Sequence, residues 1–164
     1  MAIEFKNWKI SVAKYEETLE ICEVFKNSVL HVSSQHPQYS KDIINFWNQG
    51  KTHQKVSAWI TNPDHFFIVA KNREKIEGVA FINIKKGLFV ACYLLKSATK
   101  HGLGKKLMSS MTQMGKANGH SRLTLGASLN AVDFYKKIGF SVTKDHSDLR
   151  PPKGVPHYSM EIQL

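Results

Sequence analysis

Cysteine is nearly absent: Cys22 and Cys92 are the only two in 164 residues, far apart and in apolar surroundings. That excludes a disulfide-built secreted scaffold and the close ligand spacing of a zinc site, so a reducing, cytoplasmic setting and no bound metal are expected. No run approaches the roughly 18 apolar residues that cross a bilayer, and residues 1–8 alternate polar and apolar side chains without the core of an export signal. No membrane association is expected. Acidic residues are also scarce, 13 against 23 Lys and Arg, for a net charge of +10. An excess of that size points to an anionic partner. The lysines are scattered, however, in nothing longer than pairs such as Lys85-Lys86, Lys105-Lys106 and Lys136-Lys137. A nucleic-acid groove needs a continuous stripe, so a phosphorylated cofactor, an acidic substrate or solubility accounts for the charge better.

What is present fits one domain over 1–164, since 42% apolar residues suffice for a single core. After a short N-terminal strand, Tyr15, Leu19, Cys22, Phe25 and Val29 recur at spacings of three and four and predict an amphipathic helix over about 13–29. Ser40 reads as the cap of a second helix, and 51–60 carries a third helical pattern that Asn62-Pro63-Asp64 stops. A three-strand meander follows over 66–70, 76–84 and 88–95, with turn residues between. In its last strand Leu88, Val90, Cys92 and Leu94 alternate with Phe89, Ala91, Tyr93 and Leu95, so both faces are apolar and the strand is expected to be central. Leu103, Leu107, Met111 and Met114 predict a long helix over 102–117, closed at Asn118-Gly119. A strand over 122–126, a helix over 131–138 closed by Gly139, and strands over 140–143 and 158–164 complete the order.

Chemistry concentrates where the central strand meets that long helix, in Leu94-Leu95-Lys96-Ser97-Ala98-Thr99-Lys100-His101-Gly102-Leu103-Gly104-Lys105-Lys106-Leu107. Two glycines two apart allow close backbone approach to an anion. Free amides at a helix N-terminus, with the helix dipole behind them, receive its charge. Lys100, His101, Lys105 and Lys106 add positive charge. The pyrophosphate fingerprint GxGxxG fails because Leu107 stands where its last glycine belongs, and no GK[ST] occurs.

A second segment, Leu123-Thr124-Leu125-Gly126-Ala127-Ser128-Leu129-Asn130-Ala131-Val132-Asp133-Phe134-Tyr135-Lys136-Lys137-Ile138-Gly139-Phe140, ends in an FYxKxGF pattern. Together the two segments resemble the GNAT superfamily of N-acetyltransferases over about 66–164. The closing Gly154-Val155-Pro156-His157-Tyr158-Ser159-Met160-Glu161 is similar to the end of one bacterial subgroup. The resemblance implies an α/β GNAT fold: a mixed, mostly antiparallel twisted sheet of about six or seven strands, helices on both faces, and a splay between the fourth and fifth strands. It implies acetyl-CoA as co-substrate and an amine acceptor, in a monomer or homodimer. The family's Q/R-x-x-G-x-G/A loop falls on 99–104, so Thr99, Lys100, His101, Gly102, Leu103, Gly104 and Lys105 are the expected pyrophosphate contacts. Thr99 replaces the family's Gln or Arg, and Ser128, with Asn130 two residues on, stands where an Asn is common. Either is expected to cap the helix and touch CoA. Backbone groups of Cys92 and Leu94 are expected to pair with pantetheine and polarise the thioester carbonyl. Tyr135, in the family's tyrosine position, is the expected general acid, because a phenol is protonated at neutral pH. Cys92 as a nucleophile is disfavoured by its apolar setting. No carboxylate lies in 88–95, so the general base is left among His31, His65, His157, a water chain or an amine that arrives neutral. Ser28, His31, Tyr39 and Trp47 are the expected acceptor-binding residues, and no acidic patch suggests a polycation. A GNAT-like module that binds CoA or another anion without catalysis is the alternative.

Overall fold

In the computed structural model, which describes residues 2–164, the chain begins with a hairpin of β1 (Ala2–Phe5) and β2 (Trp8–Val12) and a 3-10 turn (Tyr15–Glu17). Three helices follow, α1 (Thr18–Ser33), α2 (Lys41–Gln49) and α3 (His53–Thr61), then the meander β3 (His65–Asn72), β4 (Lys75–Asn83) and β5 (Leu88–Leu94). The remainder is α4 (Leu103–Ala117), β6 (Arg122–Ser128), α5 (Val132–Lys137), β7 (Ser141–His146) and β8 (His157–Gln163). All eight strands join one sheet in the order β1-β2-β3-β4-β5-β6-β8-β7, antiparallel throughout except for β5 beside β6. The strand beyond the expected count comes from the N-terminus, where Phe5 faces Trp8 across a two-residue turn. Lys6 adopts the left-handed conformation there at φ 53°, with no glycine to announce it.

Helices cover both faces. On one, Leu103, Leu107, Met108 and Met111 of α4 and Tyr135 of α5 pack on Ile10, Ile68, Ala80, Ile82 and Leu125. On the other, Ile21, Cys22, Val24 and Phe25 of α1 and Val56 of α3 pack on Phe67, Val69, Val79, Phe81 and Ala91. The stripe of α1 is rotated from the expected one, because Tyr15 and Leu19 are 55% and 69% exposed while Val24 and Ser28 are buried. Ser40 occupies the position before α2 but makes no capping bond, whereas Thr52 accepts the Lys55 amide at 3.2 Å before α3. Neither Ser128 nor Asn130 caps α5; Ala131 holds that position.

Two β-bulges shape the centre of the sheet. Opposite β3, Lys71 faces Ile76 and Ala70 faces Gly78, leaving Glu77 as the extra residue. Opposite β4, Ile82 faces Phe89 and Phe81 faces Ala91, leaving Val90 over, 43% exposed. Strict alternation along β5 therefore fails: Phe89 lies on the α4 face with Cys92 and Leu94, not with Ala91 and Tyr93. A bulge bends and twists its strand. The parallel pairing of β5 with β6 consists of Leu88 with Thr124 and Phe89 with Leu125, and it stops at Val90.

Candidate active site

Beyond Phe89 and Leu125 the two central strands part, and a cleft of about 820 Å³ passes between them. Its floor is backbone. The Leu95 amide donates to the Glu77 carbonyl on β4 at 2.8 Å, and an antiparallel ladder points alternate residues to opposite sides. The N–H groups of Cys92 and Leu94 therefore project away from β4, toward the gap β6 has left. The Leu94 carbonyl is already occupied, accepting the hydroxyl of Ser28 from α1 at 2.8 Å. Ser28 is fully buried and braces β5 instead of lining the cleft.

One end of the cleft is the N-terminus of α4. Lys100 and Gly102 both have positive φ, 64° and 84°, which coils the loop tightly before the helix. The first helical bond runs from the Lys106 amide to the Gly102 carbonyl, so the amides of Leu103, Gly104 and Lys105 have no helical acceptor. Thr99, Lys100, Gly102, Gly104 and Lys105 line the cleft here. A Cβ on Gly104 would lie 3.3 Å from Phe134 and 3.6 Å from Leu94, so glycine leaves the room an anion needs. These free amides, the helix dipole and the two lysines fit a pyrophosphate. The Leu103 side chain is in the core, and the Thr99 hydroxyl is turned back on its own loop, donating to the Lys96 carbonyl at 2.7 Å. His101 does not line the cleft; its ring packs 5.9 Å from Trp8, and its carbonyl accepts the Lys6 ammonium at 2.7 Å. Trp8 in turn donates to Glu77 at 2.9 Å, so the N-terminal hairpin and the first bulge brace the loop from outside.

Tyr135 stands over the middle of the cleft, 9% exposed, its ring 5.1 Å from Phe134 and 5.8 Å from Phe140. Burial, and then the nearby Cys92 and Tyr93, push its phenol well above the usual value. It keeps its proton at neutral pH. Burial likewise pushes the Cys92 thiol up to about 12, which removes its thiolate and its use as a nucleophile. Ser128 and Asn130 line the same wall, with the Asn130 amide donating to the Val32 carbonyl at 3.1 Å.

The other end belongs to His31, Val32, Trp47, Tyr93, Pro156 and His157. Tyr39 stands behind it, buried, accepting the Leu129 amide at 2.8 Å and donating to the Pro156 carbonyl at 3.1 Å. Its hydroxyl is spent on holding two loops together. Of the three histidines considered as bases, His65 lies away from the cleft, its Nδ1 3.0 Å from the Trp59 carbonyl and its ring 5.2 Å from Phe81. His31 is in the wall, with Nε2 3.1 Å from the Gln35 amide nitrogen. His157 Nδ1 is 2.8 Å from the Val155 carbonyl, which can only accept, so in the neutral ring that nitrogen carries the proton and Nε2 the lone pair. The ring is stacked on His146 at 4.6 Å. Tyr93 and Pro156 escaped the sequence analysis: a cleft that passes through the sheet takes residues from both faces of β5, and the likeness of residues 154–161 to one subgroup assigns no role to Pro156. Among the described residues, no group of three or more His, Cys, Asp or Glu is placed to hold a metal ion, and no helix is long and apolar enough to cross a membrane.

No curated protein matches the chain. Solved structures do. The PaiA N-acetyltransferase of Thermoplasma acidophilum, determined with coenzyme A, superposes with a TM-score of 0.79 at 22% identity, over 96% of this chain and 99% of that one. A GCN5-related N-acetyltransferase from Rhodopseudomonas palustris gives 0.83 at 18% identity, over 94% of each chain. A phosphinothricin acetyltransferase from Sinorhizobium meliloti, in complex with acetyl-CoA, gives 0.72 at 17%, over 96% of this chain and 89% of that one. At these identities the likeness is one of fold. The family profile of the acetyltransferase (GNAT) domain matches residues 35–164, which take in the meander, the α4 cradle, Tyr135 and the last hairpin, and the chain belongs to that family.

Proposed function

We propose that the protein transfers an acetyl group from acetyl-CoA directly to an amine, without a covalent enzyme intermediate. One observation carries this reading: the parting of β5 from β6 aligns the amides of Cys92 and Leu94, the Tyr135 phenol and the N-terminus of α4 along one cleft. Bound acetyl-CoA would supply the thioester. The α4 amides and Lys100 and Lys105 would hold its pyrophosphate, and the Leu94 and Cys92 amides would donate to the pantetheine and to the thioester oxygen, where charge develops. His157 Nε2 takes the proton that the amine releases. Tyr135 delivers a proton to the departing sulfur. The raised pKa of Cys92 favours direct attack over acyl transfer through the thiol.

Calorimetric titration of acetyl-CoA, with a thiol-release assay beside it, tests the reading. Tyr135→Phe keeps the ring and removes the proton; kcat is expected to fall by about 10² to 10³ while acetyl-CoA affinity stays within about twofold. An unchanged kcat would remove Tyr135 from the mechanism. Failure to bind acetyl-CoA at all would leave only a shared fold.

A further inference from the structure

The acceptor end of the cleft has a chemical character of its own. Trp47 donates its indole N–H to the Tyr93 hydroxyl at 3.2 Å, the two rings meet at 64°, and Tyr39 packs 5.3 Å behind Trp47. Val32 and Pro156 complete an apolar corner that faces His157. Among the described residues that line the whole cleft, none is Asp or Glu. An alkylamine is an ammonium at neutral pH. Entering this corner, it would give up its hydration with no carboxylate to replace it. Aromatic faces can themselves attract a cation, but here a cation already stands behind them. The Lys51 ammonium donates to the Trp47 carbonyl at 3.0 Å and lies 6.0 Å over Phe25, whose ring is 5.5 Å from Tyr93. A second cation on the same corner meets a like charge behind it.

Resting on the acyl-transfer reading above, we propose that the acceptor is a weakly basic amine on a flat aromatic body, an arylamine or aryl hydrazide, uncharged at neutral pH. Its ring seats on Trp47 and Tyr93 and its nitrogen points to His157. Flat rings gain from offset or edge contact with the indole, and a neutral nitrogen already carries the lone pair that attacks. In the step itself the C–N bond forms and the C–S bond breaks; the amine proton goes to His157 Nε2, and sulfur leaves with the Tyr135 proton.

The test compares benzhydrazide and aniline with butylamine and spermidine as acceptors for the full chain at pH 7, by thiol release, after calorimetry has established acetyl-CoA binding. The expected result is a kcat/KM for the aromatic pair at least about tenfold above that for the alkylamines. Trp47→Ala should raise the KM for benzhydrazide about fivefold or more with acetyl-CoA affinity unchanged, and Trp47→Phe, which keeps a flat ring but loses the bond to Tyr93, should raise it by less than Trp47→Ala does. Preference for spermidine or butylamine overturns the proposal, as does a KM indifferent to Trp47→Ala. Acetyl-CoA binding without turnover of any of the four also overturns it and leaves the cofactor assignment standing. Absence of acetyl-CoA binding overturns both.

Discussion

The two ends of one cleft are built by different means. At the α4 end the working groups are main-chain amides, fixed by a left-handed turn at Lys100 and Gly102 and by the start of a helix. At the other end they are side chains from α1, α2, β5 and the loop before β8, brought together by the Tyr39 hydroxyl and the Ser28 bond to β5. A site made of backbone tolerates exchange of side chains, and the turning away of Thr99 leaves every free amide in place. A site made of side chains changes with each substitution, which is where specificity belongs.

That contrast can be attacked from either end. The largest effect is expected from Tyr39→Phe, which leaves the Leu129 amide and the Pro156 carbonyl without a partner. A loss of about 2 kcal/mol in denaturant unfolding should accompany a higher acceptor KM and an unchanged acetyl-CoA affinity. Loss of acetyl-CoA affinity instead would show that the two ends are not separable. Gly104→Val is the reciprocal change, since its side chain must fill the space beside Phe134 and Leu94. Acetyl-CoA should bind about tenfold more weakly, or about 1.4 kcal/mol, by calorimetry, with the acceptor KM measured at saturating acetyl-CoA unmoved.

The smallest effect concerns Lys51, whose burial, helped by Lys55, lowers its pKa from the usual 10.5 to about 8. Between those values the unfolded lysine keeps a proton the folded one has released, so unfolding free energy rises with pH across that window. The raised pKa of the Cys92 thiol acts in the opposite sense above about pH 9, so the Lys51 contribution is read as the difference between wild type and Lys51→Met in urea titrations from pH 7 to pH 9: the variant should be about 1 kcal/mol more stable at pH 7, and the gap should narrow as pH rises. A gap that does not change with pH would mean that Lys51 is solvated, and the like-charge argument for a neutral acceptor would lose its footing.

The difference between the ends also explains what could be read in the sequence. The loop and helix start at the α4 end were legible because their signal is local: glycines two apart between an apolar strand and a helix whose Leu103, Leu107 and Met111 keep one face. The place of Tyr135 on the cleft was legible through the pattern around it, carried over from the family. The acceptor end was legible only in part: His31, Trp47 and His157 were named and line the cleft, but the parts of this end are joined only in three dimensions. Ser28 and Tyr39, polar residues on the right elements, turned out to be bonded to protein groups, while Tyr93 and Pro156 carried no mark. The phase of α1 was misread because Tyr15 and Leu19 fit a helical period that the preceding 3-10 turn interrupts. The N-terminal hairpin was missed because its turn uses Lys6 in the left-handed region, where a glycine would have signalled it.

Val90 shows how small the difference is between a closed sheet and an open one. On either side of it β5 keeps its pairing with β4, so the chain spends one residue more than its neighbour over the same stretch. The bend that residue imposes coincides with the last bond to β6, and the amides left over are the ones the proposed chemistry uses. The opening is therefore a property of chain length, indifferent to which side chain stands at 90. Point substitutions can tune what enters the gap, but only an insertion or a deletion in β5 decides whether there is a gap at all.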